Sequence, residues 1–129
     1  MINGIKPIIS KPKPEPKVVK PTTNGLNFDE AIDNLLVKIQ ENYDNWSKGN
    51  MRDKLDLSLK PGRKFIKVVE GNRVWGFIAK VDGTHKGLPM LKGDILKAAG
   101  WRAPAKHSRG NIFYKEMHKS FSWTGPNYL

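Results

Sequence analysis

The stretch KFIKVVEGNRVWGFIAK, Lys64–Lys80, decides the fold. Two runs rich in β-branched and aromatic residues flank Gly71-Asn72, and a two-residue loop of this kind suits a primed hairpin turn. The spacing predicts an antiparallel hairpin with strands Lys64–Glu70 and Arg73–Lys80. Further short β-segments are expected beyond it. Val81–Pro89 reads as a longer loop with two glycines. Asp94–Trp101 has the length of a strand or of a short helix, and periodicity does not separate the two at this length. The preceding Lys92-Gly93 and the closing Gly100 favour a strand. The next stretch, GWRAPAKHSRGN, reads as a basic loop shaped by Pro104, with Gly100 and Gly110 available for positive φ. Asn111–Tyr114 and Met117–Trp123 are expected as short strands.

On the N-terminal side the clearest element is a helix. Phe28, Ile32, Leu35, Leu36, Ile39, Tyr43 and Trp46 recur at steps of three and four, which places them on one face. Asn27 is a good N-cap, and Glu30 three residues on completes a capping box. Asp29, Glu30 and Asp33 lie where the helix dipole favours negative charge, and Gly49 is a natural stop. The organisation expected is a Lys/Pro-rich extended tail (1–25), a helix (26–49), a polar link (50–62) and a small basic β-rich domain (63–129). The fold class is α+β: one amphipathic helix on a small, mostly antiparallel, curled sheet, with an OB- or SH3-like barrel as its closed form.

Charge narrows the function. The 129 residues carry a formal charge of +11, from 23 Lys and Arg against 12 Asp and Glu. The distribution is uneven: +4 over 1–25, −3 over 26–59 and +10 over 60–129. So large a charge on a small chain repels itself, and an anionic partner relieves that repulsion. The absence of cysteine excludes a disulfide framework, a thiolate zinc site and a thiol nucleophile. No apolar run approaches the ~20 residues of a membrane span, and the proline-containing N-terminus has no secretory core, so a soluble intracellular protein with no membrane partner is expected. In the tail, KPKPEPK favours solvated polyproline II geometry and reads as a linker or as a basic arm.

Catalytic signals are weak. His85, His107 and His118 lack the spacing of a metal site, Ser108 and Ser120 lie in no nucleophile motif, and no phosphate-binding glycine loop is present. No metal, cofactor or catalytic residue is assigned, and an enzyme acting on nucleic acid through Asp82 and Asp94 ranks last. The combination of bases with aromatics is stronger. Cations neutralise phosphates and release counterions, while exposed rings stack on unpaired bases. The expected phosphate contacts are Lys64, Lys67, Arg73, Arg102, Lys106 and Arg109, with Trp101 and Tyr114 as stacking rings. Trp75 and Phe77 are expected in the core. The reading is a non-enzymatic nucleic-acid-binding protein, with single-stranded DNA or RNA favoured over duplex. The alternative sets the basic surface against an acidic protein partner.

The segments GRKFIKVVEGNRVWGFIAK, KGDILKAAGWRAPA, RGNIF and SWTGP resemble an arrangement found in uncharacterised small basic proteins of tailed bacteriophages. The resemblance spans Gly62–Pro126 and leaves the tail and the helix outside it. It implies a phage origin and a shared small domain, and it carries over no catalytic residue. For a phage protein the location is the host bacterial cytoplasm or the virion, and the protein partner is a virion component or a host protein.

Overall fold

The computed structural model describes residues 23–47 and 54–128. Most of the expected tail, and Gly49, lie outside the described residues. Helix α1 runs over Phe28–Ser47. Its capping box is reciprocal: Glu30 N donates to Asn27 Oδ1 at 2.9 Å, and Asn27 N donates to Glu30 Oε1 at 3.0 Å. Ala31, Ile32, Leu35 and Ile39 are buried, with Phe28 and Leu36 packed at the margin. The stripe does not stay inside to its end, because Trp46 is 63% exposed.

Among the described residues nine strands follow: β1 (Leu57–Pro61), β2 (Phe65–Glu70), β3 (Arg73–Ala79), β4 (Gly83–His85), β5 (Leu88–Met90), β6 (Asp94–Ala98), β7 (Pro104–Asn111), β8 (Phe121–Ser122) and β9 (Gly125–Pro126). The main sheet has the order β1-β2-β3-β6-β7, and every neighbouring pair in it is antiparallel. The fold is therefore α+β, one helix packed on a mostly antiparallel sheet. The sheet is open, with β1 and β7 at its edges, so it does not close into an OB- or SH3-like barrel.

The β2–β3 hairpin turns at Gly71-Asn72 as expected, with Glu70 opposite Arg73. Gly71 has φ +60° and Asn72 does not enter positive φ, the pattern of a turn with glycine at its first central position. A bulge follows: Val68 pairs Gly76 and Val69 pairs Val74, which leaves Trp75 as the extra residue. Its ring is 1% exposed, and its Nε1 donates to Ser122 O at 3.0 Å. The register separates the two faces of the sheet. Ile66, Ile78 and Ile95 lie on one side and join the helix in a single core with Ile112, Met117 and Phe121. Lys67, Phe77 and Leu96 lie on the other.

Several elements differ from the sequence reading. The link expected to be polar carries strand β1, whose pairing with β2 reaches from Leu57 to Pro61. Val81–Pro89, read as a loop, holds the small β4–β5 hairpin, closed by Lys86 and Gly87 at φ 51° and 83°. Two positive φ values make a type I′ turn, and a lysine in the first position hid it. GWRAPAKHSRGN is mostly strand β7, not a loop. Pairing to β6 with two register shifts lets an edge strand begin at Pro104. Of the strand expected over Asn111–Tyr114, Asn111 closes β7, residues 112 and 113 turn, and Tyr114 makes a single bridge to Thr23. Met117–Ser120 is a 3-10 turn, and only Phe121–Ser122 of the expected last strand is paired.

Candidate nucleic-acid interface

Cations gather over the face of the sheet that carries Lys67 and Phe77. Lys60 on β1 stands directly opposite Lys67 on β2. Arg63 and Lys64 come from the tight turn between these strands, where Gly62 N donates to Phe65 O at 2.7 Å. Arg102 arrives from the β6–β7 connection, and together the five line an open hollow of about 240 Å3 based on Phe65 and Phe77. None of the described lining residues is acidic. Like charges directly opposite each other across a strand pair are destabilising, and a bound anion removes that repulsion. Lys67 meets it partly by placing its ammonium 4.3 Å from the centroid of the Trp101 ring. Trp101 itself is 50% exposed.

Lys64, Lys67, Trp101 and Arg102, four of the residues expected to bind, are thus brought together. The others are not. Arg73 pairs with the buried Glu70 and donates to Thr124 O at 2.8 Å. Arg109 Nε donates to Asn127 O at 2.9 Å, and a second guanidinium nitrogen donates to His107 O. Lys97 Nζ donates to Pro126 O at 2.9 Å and lies 4.0 Å from the Tyr128 ring centroid. These three cations fasten the C-terminal segment by its carbonyls. Burial, and then the Arg109 and Arg73 charges, lower the Lys97 pKa. Lys106 is exposed on β7, outside the hollow, and Tyr114 packs against the hydrophobic core. Trp75 and Phe77 are buried, as expected.

The glycine motifs are structural. Gly93, at φ +92°, leaves space that a Cβ would take 2.7 Å from the Phe113 ring and 2.8 Å from Asn111 Oδ1. Asn111 Nδ2 donates to Asp94 Oδ1 at 3.0 Å, and Leu91 N donates to Asp94 Oδ2 at 2.9 Å. KGD and RGN therefore join the start of β6 to the end of β7, and this bonding occupies the Asp94 carboxylate. Gly110 and Gly100 do not adopt positive φ. Gly110 is required by close approach, since a Cβ there would lie 2.1 Å from Ser120 Oγ. His85 is half-buried with Nε2 2.9 Å from Ala105 O, and no group of three potential metal ligands occurs among the described residues.

Sequence reading missed Lys60, which lay in the segment taken for a link (50–62), and Arg63, which lay just ahead of the first expected strand. The signal lay in KPGRKFIK, where a Pro-Gly turn brings cations on either side of it together. No curated protein and no solved structure matches the chain. A family model described as a family of unknown function (DUF7717) matches residues 20–129, which takes in the helix as well as the sheet. With helix, hairpin, basic hollow and C-terminal segment all inside the matched span, the chain belongs to that family.

Proposed function

We propose that this chain is a phage-encoded, non-enzymatic nucleic-acid-binding protein that docks phosphates in the hollow of Lys60, Arg63, Lys64, Lys67 and Arg102. The observation that carries this reading is the convergence of five cations, from two strands and two connections, on one hollow whose described lining holds no acid. Cations so placed neutralise successive phosphates and gain affinity from counterion release. Trp101 beside them supplies a ring for an unpaired base, which favours single-stranded DNA or RNA over duplex. No helix among the described residues is long and apolar enough to cross a membrane. The phage origin is supported by the sequence resemblance alone, and the location proposed with it is the host bacterial cytoplasm or the virion.

The test is binding of nuclease-treated protein to labelled single-stranded DNA, duplex DNA and RNA over a salt series. A steep loss of affinity with salt and a preference for single strands support the reading. No binding to any of the three at low salt refutes it.

A second reading is favoured by one observation. Tyr43, Trp46 and Trp123 form an aromatic group with centroids 5.0–5.9 Å apart, and Trp46 is largely exposed. Such a group suits a virion or host protein partner. Co-purification of one stoichiometric protein after nuclease treatment would favour it.

A further inference from the structure

Trp101 lies next to two hollows. Lys67, which lines the basic one, covers one side of the indole. The ring is itself a wall of a second hollow of about 370 Å3, bounded by 72–74 at the start of β3 and 98–101 at the end of β6. The reason for this opening is topological. β3 and β6 pair only at Phe77–Leu96 and Ile78–Ile95, and beyond that point the strands part. The second hollow differs in chemistry from the first. Among the described lining residues Arg73 is the one cation, held by Glu70, and the others are Asn72, Trp101 and small or apolar residues. The Asn72 side-chain amide makes no hydrogen bond among the described residues, and it offers a donor and an acceptor together.

We infer that the second hollow is a nucleobase seat, in which one base of a single strand stacks on the Trp101 face turned away from Lys67 and meets the Asn72 amide with its edge. This rests on the reading of the basic hollow as a phosphate site. The ring then stands between a cation on one face and a base on the other, and its position at the junction lets the backbone stay with Lys60, Arg63, Lys64 and Arg102 while one base turns aside. A duplex presents no free base to this seat without unstacking.

The test compares two labelled single strands of about twelve residues, oligothymidylate and an abasic strand with the same phosphates, by fluorescence anisotropy over a salt series. The proteins are the full chain and its Trp101→Leu and Asn72→Ala variants. The base-bearing strand should bind the wild type about 5- to 150-fold more tightly than the abasic strand. Trp101→Leu should bring the two within about 2-fold, with its salt slope unchanged, because stacking adds no counterion release. Asn72→Ala should shrink the difference in part. Equal affinity of the two strands for the wild type, with a steep salt slope, overturns the base seat and leaves the phosphate site standing. A difference that survives in both variants also overturns it, because the base then stacks elsewhere. No binding of either strand overturns both.

Discussion

Neutralising Arg63, Lys64 and Arg102 together should flatten the salt dependence of single-strand binding by an amount set by the geometry of the hollow. All three side chains line it, and none carries a salt bridge among the described residues, so each charge is available to a phosphate. Each phosphate neutralised on a single strand contributes about 0.7 to the slope of log affinity against log salt. The five cations of the intact hollow therefore correspond to a slope of about −3.5, and the two left in the triple alanine variant to about −1.4. Between roughly 50 and 200 mM salt the wild type should lose about 130-fold in affinity and the variant about 7-fold. The assay is fluorescence anisotropy with a labelled single strand at four salt concentrations spanning roughly that range. Circular dichroism would confirm that the variant keeps its fold, as is expected of three exposed positions. Lys106→Ala with Arg109→Ala is the control. These residues sit on β7 outside the lining, so the slope should stay near the wild-type value. An unchanged slope in the triple variant, or a slope lowered as far by the control pair, would refute the assignment of phosphates to this hollow.

Gly110→Ala should destabilise the fold by about 1–3 kcal/mol in chemical denaturation, since the new Cβ meets Ser120 Oγ, and adding Ser120→Gly should restore part of the loss. Arg73→Ala should cost about 2–3 kcal/mol, because it leaves the buried Glu70, whose Oε2 has no hydrogen-bond partner among the described residues, without its cation; Glu70→Gln in the same chain should recover some of it. Burial, Arg109 and Arg73 lower the Lys97 pKa below 10.5. Just below pH 10.5 the unfolded chain therefore binds the proton more tightly than the native chain, and the stability of the wild type relative to Lys97→Met should rise with pH there. Denaturant midpoints of the two chains on either side of that window measure it, and a falling difference would contradict the sign.

Features governed by near neighbours were legible before the structure. The capping box at Asn27 and Glu30 acts across one helical turn, and the Gly71-Asn72 turn acts across one hairpin, so residue types within a few positions determined both. The hydrophobic period of the helix likewise named Ile32, Leu35 and Ile39 as buried. The excess of positive charge beyond residue 60 pointed to an anion without naming the place where one would bind.

Pairings distant in the chain decided the rest. Strand β7 contains Pro104 and Gly110, which argue locally against a strand, and it forms because bulges within β7 itself let it pair with β6, with Gly110 where Ser120 leaves no room for a Cβ. Two of the expected phosphate ligands, Arg73 and Arg109, are taken up by carbonyls of the C-terminal segment, whose return to the sheet nothing near either arginine announces. Conversely, Lys60 becomes part of the site only because β1 pairs with β2 in a register that sets it against Lys67, and Trp101 joins only because the β6–β7 connection crosses to that hairpin. Local sequence determines which elements form and which of their faces are apolar. Which cations end up side by side depends on register and strand order, and those are settled by burying the core and pairing the backbone across the whole sheet.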